Sequence, residues 1–215
     1  MKKGILLFDI DRTLFDTDKL LKFQFETISR ILNIQDIKKF ERFWESTLSG
    51  KRHITSIERI DLICSEFNIK NSEPLLNVYY GKEYKHIYKD SVYPEVVLVL
   101  NKLKSKFRFG IFSEGIEKYQ KNKFASMGLI EFFDSQLIII VSIQTKKEIV
   151  TKIPKGAIVV DDKLAICEFL TKNGVKAIWL NRKDSSVNPN FSTIHSLTEL
   201  PEILSKKPDA ESSSA

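Results

Sequence analysis

Acidic residues follow two separate apolar runs of the sequence, each at the place where the run ends. Asp9 and Asp11 come directly after Gly4–Phe8, and Asp161 and Asp162 follow the run Ala-Ile-Val-Val. If the two runs are strands of one parallel sheet, all four carboxylates meet at its carboxyl edge. Carboxylates that converge in this way repel one another unless a cation lies among them, and oxygen ligands without His or Cys favour Mg²⁺. The sequence therefore predicts a magnesium site.

A hydroxyl and two lysines add groups that bind anions. Ser113 ends another apolar run, and its hydroxyl and the backbone N–H groups that follow, beginning with Glu114, lie at a predicted helix start. Such N–H groups bind phosphate. Lys146 and Lys147 precede the third crossover helix. Each group alone is more often a turn, cap or surface residue. The catalytic interpretation is favoured because the acids and the serine each lie at the end of a predicted strand.

Together these groups suit one reaction. A metal, a lysine and a hydroxyl can hold a phosphoryl group against an aspartate nucleophile, which gives an acyl-phosphate intermediate that water then hydrolyses. A second aspartate two residues further on can protonate the leaving oxygen and later deprotonate that water. We therefore expect phosphomonoester hydrolysis.

Two patterns predict the elements that position these groups. Apolar side chains recur at helical spacing in four segments, which predicts helices over residues 18–32, 36–49, 55–68 and 72–89. After Pro94, apolar runs alternate with helical segments, and the runs lie at residues 107–112, 136–141, 157–160 and 176–180. This alternation predicts an α/β fold with a doubly wound parallel sheet, in which an all-helical domain separates the first strand from the second.

We expect three parts in the chain. Residues 1–16 and 91–205 form the α/β core domain, and residues 17–90 form the helical domain. Residues 206–215 read Lys-Lys-Pro-Asp-Ala-Glu-Ser-Ser-Ser-Ala. A segment of this composition cannot pack a core, which predicts a disordered tail.

Composition excludes several classes of protein. With 215 residues, of which 42% are hydrophobic, the chain can bury a sizeable core, and its longest apolar runs are far shorter than a membrane span. Cys64 and Cys167 lie far apart without metal-ligand spacing, so we expect a reduced, cytoplasmic protein. The net charge of +6 comes mainly from lysines spread over the whole length. This favours a solvated surface, so we expect a small anionic substrate and neither a nucleic-acid nor a membrane partner.

The sequence resembles the haloacid dehalogenase superfamily of aspartate-nucleophile phosphohydrolases. The segment Asp-Ile-Asp-Arg-Thr at residues 9–13 is similar to the first family motif Asp-x-Asp-x-Thr, and the likeness extends to about Arg182. Dehalogenase members lack an acid at the position of Asp11, so the chain resembles the phosphatase branch. In this comparison the helical insert corresponds to a cap that closes over the site.

The resemblance also implies roles for individual residues. Asp9 would be the nucleophile, Asp11 the general acid and base, and Ser113 the phosphate-binding second motif. The Asp9 carboxylate, the Asp11 backbone carbonyl and Asp162 would hold Mg²⁺, with Asp161 as a further candidate. The haloacid dehalogenase family implies Mg²⁺ as the cofactor and a small phosphorylated metabolite as the substrate.

Some choices stay open from sequence. The third family motif places its lysine before a Pro-x-Pro stretch that is missing here, so Lys146 and Lys147 are both candidates. Lys51 and Arg52 lie between two predicted helices of the insert and would favour a substrate with a second anionic group, or they form an exposed basic loop. A phosphomutase of the same fold and an inactive binding protein are alternatives to a phosphatase.

Overall fold

The computed structural model describes residues 3–48, 54–141 and 150–205. Within these ranges, six strands form one parallel sheet in the order β3-β2-β1-β4-β5-β6. The strands are β1 Gly4–Phe8, β2 Phe107–Glu114, β3 Phe133–Val141, β4 Ile158–Asp161, β5 Lys176–Leu180 and β6 Ser192–Ile194. The α/β fold class with a doubly wound parallel sheet is confirmed.

The described residues also form nine α-helices. They are α1 Thr17–Ile31, α2 Ile37–Leu48, α3 Ser56–Glu66, α4 Glu73–Tyr80, α5 His86–Asp90, α6 Val96–Leu103, α7 Glu117–Ser126, α8 Leu164–Lys172 and α9 Leu200–Ser205. Short 3₁₀ turns join some of them. Across the described ranges, no helix combines the length and the apolar composition that crossing a membrane requires.

Strand β1 lies in the middle of the sheet, and its register decides which strand ends meet. Phe8, its last residue, pairs with Ile111 of β2 on one side and with Val160 of β4 on the other. Leu6, Leu7 and Phe8 are fully buried because helices cover both faces. The residues that follow β1 and β4 therefore emerge beside each other at the carboxyl edge.

The two faces of the sheet pack into two hydrophobic clusters. Leu6 and Phe8 point to one face, where they pack among residues of α6 and α7, and Leu7 points to the other face with residues of α8. This alternation follows from the two-residue period of a strand. Both faces must be apolar in a parallel strand covered on both sides, which explains the continuous apolar run that predicted β1.

The helices α1–α5 between β1 and α6 form what we call the helical insert. Its hydrophobic cluster centres on the fully buried ring of Phe40, which lies 5.2 Å from the ring of Phe25 and 5.3 Å from that of Phe67, centroid to centroid. The start of α1 and all of α5 pack instead with the larger sheet cluster, through Leu20 and Tyr88. The insert therefore has a hydrophobic core of its own, and its first and last helices also pack against the core of the sheet.

The structure corrects the prediction of a single helix over residues 72–89. The helix α4 ends at Tyr80, and a 3₁₀ turn at Lys82–Tyr84 leads into the short α5. Gly81 ends α4 because it adopts an extended backbone (φ −65°, ψ 143°). A Cβ at this position would lie 2.5 Å from the Asn77 carbonyl oxygen, so only glycine fits.

Two elements at the sheet edges also differ from the sequence prediction. Strand β3 begins at Phe133, three residues before the predicted start, and β6 at Ser192–Ile194 was not predicted. At β3 the segment Asp-Ser-Gln lacks an apolar pattern, yet it continues the edge strand, where polar side chains face solvent. The predicted helix near residue 146 falls partly, and the predicted disordered tail wholly, outside the described residues.

Truncation of Phe40 should test the core of the helical insert. We expect Phe40→Ala to lower the free energy of unfolding by about 3–5 kcal/mol, because it leaves a cavity among buried rings. The matched control is Ile57→Ala in α3, where the side chain is 54% exposed and the loss should stay below about 1 kcal/mol. Urea unfolding followed by circular dichroism measures both values, and equal losses would contradict the assignment of this cluster as a packed core.

Candidate active site

Three carboxylates converge at the carboxyl edge of β1 and β4. Asp9 directly follows β1, and its backbone N–H donates a hydrogen bond to the Val160 carbonyl oxygen at 2.9 Å. Each of Asp9, Asp161 and Asp162 offers a carboxylate oxygen, and these oxygens all lie within 4.8 Å of one another. Asp9 is 3% exposed and Asp161 is fully buried. The arrangement concentrates negative charge where water screens it poorly.

Local hydrogen bonds hold the end of β4 and the residue that follows it, which carry two of these carboxylates. The Lys163 backbone N–H donates to Asp161 Oδ1 at 2.9 Å, and the indole N–H of Trp179 donates to the Asp162 carbonyl oxygen at 3.0 Å. The loop geometry is therefore set by β5 and by the start of α8. Three oxygen ligands of this kind fit a hard divalent cation.

Asp11 lies in a different environment from Asp9, although only two residues separate them. Its Oδ1 accepts hydrogen bonds from Lys123 Nζ and from the Thr17 hydroxyl, each at 2.6 Å, and its Oδ2 accepts one from Gln120 Nε2 at 2.7 Å. Gln120 and Lys123 lie three residues apart on one face of α7. One helix therefore holds both oxygens of this carboxylate.

The ion pair with Lys123 favours the ionised form of Asp11. Burial alone would raise the pKa of Asp11, but the charge and hydrogen bond of Lys123, with the bonds from Thr17 and Gln120, hold that pKa well below its ordinary value. The Lys123 side chain is 3% exposed, and its ammonium lies 5.1 Å from the centre of the Phe15 ring. The lysine is thus enclosed by aromatic carbon and faces one carboxylate.

A side chain that follows β5, two strands away from β1 in the sheet, holds the turn after Asp11. Arg12 has a left-handed backbone (φ 55°), which is uncommon for a residue with a side chain. Arg182 donates to the Arg12 and Thr13 carbonyl oxygens, both at 3.2 Å, and to Glu95 Oε1 at 2.7 Å. Its guanidinium also stacks on the Tyr93 ring at 3.7 Å. Arg182 therefore ties this turn to the segment where the chain returns from the insert.

Strand β2 brings the predicted phosphate-binding segment to the same edge. Ser113 is fully buried, and its Oγ has no hydrogen-bond partner within the described ranges. Glu114 and Gly115, which follow Ser113 in the chain, line the adjoining cavity. A Cβ on Gly115 would come within 2.8 Å of Gln120 Nε2. Glycine at this position therefore leaves Gln120 free to reach Asp11.

A cavity of about 470 Å³ joins these residues to the helical insert. Its core side includes Asp9, Asp11, Lys123 and Asp162. Its insert side is formed by residues of four helices, namely Leu20, Leu21, Gln24, Thr47, Leu48, Ser56, Arg59 and Tyr79. A ligand in this cavity would touch both the acids at the sheet edge and the insert.

Four predicted site residues fall outside the described part of the chain. These are Lys51 and Arg52 in the insert and Lys146 and Lys147 after β3. Their roles stay predictions.

Sequence reasoning missed Lys123, Gln120 and Arg182. The first two occupy one face of α7 at a spacing of three, a pattern shared by many solvated helix faces. Their sequence context reads as an ordinary polar helix, and only the position of α7 beside the exit of β1 turns these residues toward Asp11. Arg182 lies two residues after the end of β5, where a search for polar residues near strand ends would include it without indicating its contact with the turn at Arg12.

The sequence profile of the haloacid dehalogenase-like hydrolases matches residues 6–155. That range covers most of the chain and includes the last three residues of β1, the helical insert, β2 and β3. The chain belongs to this hydrolase family. Among curated proteins, no sequence match is found.

Solved structures of haloacid dehalogenase-like proteins share the fold. The chain is 25% identical to a HAD phosphatase from Thermococcus onnurineus, with a TM-score of 0.61 over 94% of this chain and 98% of that one. The HAD-hydrolase YfnB from Bacillus subtilis, bound to magnesium, is 21% identical, with a TM-score of 0.61 over 96% and 100%. A 2-haloacid dehalogenase from Pseudomonas syringae pv. Tomato is 20% identical, with a TM-score of 0.59 over 94% and 98%.

Removal of Lys123 should show how strongly it is coupled to Asp11. Because Asp11 would stay partly buried without its cation, we expect Lys123→Met to lower the free energy of unfolding by about 2–3 kcal/mol. Adding Asp11→Asn to that variant should restore about half of the loss. Guanidinium unfolding of the two single variants and the double variant measures the coupling.

Lys121→Met is the matched control for this cycle. Lys121 lies on the same helix, pairs with Glu117 and is 58% exposed, so its loss should cost less than about 0.5 kcal/mol. Strictly additive effects of Lys123→Met and Asp11→Asn would contradict the coupling.

Proposed function

We propose that this haloacid dehalogenase-like hydrolase is a magnesium-dependent phosphomonoesterase that acts on a small phosphorylated metabolite through an aspartyl-phosphate on Asp9. One observation carries the proposal. Two aspartates two residues apart line one cavity in opposite settings, Asp9 among carboxylates and Asp11 against an ammonium group. Two carboxylates whose surroundings differ in this way are suited to different chemical roles.

The acidic cluster fits Mg²⁺ by the chemistry of its donors. Asp9, Asp161 and Asp162 offer three carboxylate oxygens within 4.8 Å, without His or Cys, and we expect the Asp11 backbone carbonyl to be a further ligand. Hard oxygen donors in this number suit Mg²⁺, which keeps water in its remaining positions. When bound there, the cation would neutralise charge on a phosphoryl group beside Asp9.

In the proposed first step, a carboxylate oxygen of Asp9 attacks phosphorus and the bond from phosphorus to the ester oxygen breaks. The leaving oxygen needs a proton because an alkoxide is a strong base. The Lys123 ammonium donates a hydrogen bond to Asp11 Oδ1 at 2.6 Å, so a lysine proton can pass through this pair. The pair gives that proton to the leaving oxygen in this step.

In the second step, water attacks phosphorus of the aspartyl-phosphate. The Asp11–Lys123 pair takes a proton from this water, phosphate leaves, and the Asp9 carboxylate is restored. We propose that Ser113 and backbone N–H groups of the segment from Glu114 onward hold the phosphoryl oxygens in both steps, apart from the Gly115 N–H, which donates to the Val141 carbonyl oxygen at 2.8 Å. Lys146 or Lys147 would add a positive charge there.

The proton-transfer pair favours a phosphate ester over a halogenated acid as substrate. A halide is a weak base and leaves without a proton, whereas an alkoxide is a strong base and needs a proton as it leaves. Asp11 is held by a buried lysine and by two further hydrogen bonds, and displacement of a halide does not need such a proton-transfer group. This consideration, together with the likeness to a HAD phosphatase, supports the phosphatase assignment.

Asp9→Asn should abolish turnover without unfolding the protein. We expect the rate on para-nitrophenyl phosphate with Mg²⁺ to fall by at least about 1,000-fold, because the amide cannot form the aspartyl-phosphate. Asp61→Asn in α3 makes the same chemical change at an exposed position and should keep the wild-type rate. Phosphate release is the readout, with thermal unfolding as the check on folding, and full activity of Asp9→Asn would overturn the mechanism.

Removal of the metal should separate an enzyme from a binding protein. We expect EDTA to stop phosphate release from para-nitrophenyl phosphate and added Mg²⁺ to restore it, since the acidic cluster needs a cation. The absence of metal-dependent release would favour an inactive binding protein. With a hexose phosphate as substrate, inorganic phosphate is the expected product, and an isomerised hexose phosphate would favour a phosphomutase.

A further inference from the structure

Three polar side chains of the helical insert face the cavity opposite the acids. They come from three helices, Gln24 from α1, Arg59 from α3 and Tyr79 from α4. Gln24 is 1% exposed and Tyr79 is 4% exposed. The Gln24 Nε2, Arg59 Nε and Tyr79 hydroxyl atoms are all buried, and none has a hydrogen-bond partner within the described residues.

Unpartnered buried donors are uncommon, because each loses its hydrogen bonds to water without a replacement. Three such groups on the wall of one cavity are a cost to the folded protein that a ligand would remove. All three can donate a hydrogen bond, so the group they would receive is rich in acceptors.

Packing holds the arginine in place and leaves its charge available. The Arg59 guanidinium lies over the Trp44 ring, 5.3 Å from its centre. Within the described ranges, Arg59 forms no ion pair with a carboxylate. Burial raises the pKa of Tyr79 to about 12, and both the positive charge of Arg59 and a polar contact with its guanidinium oppose that rise. Arg59 and Tyr79 are therefore close enough to act on one ligand group.

The cavity connects Gln24, Arg59 and Tyr79 with the acids on its core side. Tyr119 of α7 lines the cavity between them and Asp11. Burial is the main cause that raises the pKa of Tyr119, the negative charge of Asp11 adds to the rise, and the positive charge of Arg59 opposes it. One molecule of modest size could thus meet Asp9 at one end and Arg59 at the other.

We infer that Gln24, Arg59 and Tyr79 form a subsite for a carboxylate, and that the substrate is a phosphomonoester with a carboxylate at its other end. The inference rests on the proposed phosphatase function. A carboxylate fits better than a second phosphate, because the subsite offers one full positive charge among the described residues, and two carboxylate oxygens can accept from all three donors.

A pair of phosphonates that differ in the carboxylate tests the subsite without turnover. Calorimetric titration with Mg²⁺ present compares 3-phosphonopropionate with propylphosphonate on the whole protein. We expect 3-phosphonopropionate to bind about 10- to 100-fold more tightly, the range for charge-assisted hydrogen bonds. Arg59→Met should bring the two affinities within about threefold, and Arg59→Lys should restore part of the difference.

Arg42→Met is the matched control, since it removes an exposed arginine from α2 of the same insert. It should keep the full preference for 3-phosphonopropionate. Equal binding of the two phosphonates to the wild-type protein, or binding of neither, would overturn the inference.

Tyr79→Phe and Gln24→Met separate a ligand-binding role from a structural one. Gln24→Met removes an amide nitrogen without a hydrogen bond in the described residues, and Tyr79→Phe removes a hydroxyl whose polar contact there is with the Arg59 guanidinium. We therefore expect an unchanged or higher melting temperature together with about a fivefold loss of affinity for 3-phosphonopropionate. A lower melting temperature with unchanged affinity would show a structural role and overturn the inference for that residue.

Two separate experiments distinguish a failure of the proposed subsite from a failure of the proposed phosphatase reaction. Metal-dependent hydrolysis of para-nitrophenyl phosphate, which has no carboxylate, tests the chemistry alone. Hydrolysis of that ester with no preference between the phosphonates overturns only the subsite. A clear preference without hydrolysis supports the subsite and overturns the phosphatase function.

Discussion

Mutual repulsion among the carboxylates of Asp9, Asp161 and Asp162 is the constraint around which this fold is arranged. Three oxygens within 4.8 Å in a buried setting cost free energy unless a cation joins them. The chain brings them together because β1 and β4 are neighbours in the sheet, although about 150 residues separate them in sequence. Everything between these strands, including the helical insert, must therefore leave that pairing intact.

Asp11 shows how tertiary contacts can give two acids of one turn different surroundings. The same turn carries Asp9 and Asp11, and the carboxylate of Asp11 binds Lys123 and Gln120 of α7. Arg182 fixes the turn itself from the opposite half of the sheet. The difference between the two carboxylates therefore comes from distant side chains, since local sequence offers the same residue type at both positions.

The sequence could predict the acids because their positions depend on strand ends, and apolar runs mark strand ends well. It could not predict Lys123, whose hydrogen bond to Asp11 spans 112 residues, or Arg182, whose bond to the Arg12 carbonyl spans 170. Such contacts depend on how helices dock on the sheet, which local patterns do not encode. The break at Gly81 was missed for a related reason, because aromatic residues continue the helical spacing on both sides of it.

The two walls of the cavity differ in how well their polar groups are satisfied. On the core wall, Asp11 alone accepts three hydrogen bonds, so this part is assembled before a substrate arrives. On the insert wall, polar atoms of Gln24, Arg59 and Tyr79 are buried without partners in the described part of the chain. The insert has a hydrophobic cluster of its own, which can bear that cost without loosening the sheet. The proposed chemistry therefore uses groups of the core wall, while the proposed selection among substrates uses groups of the insert that a ligand would complete.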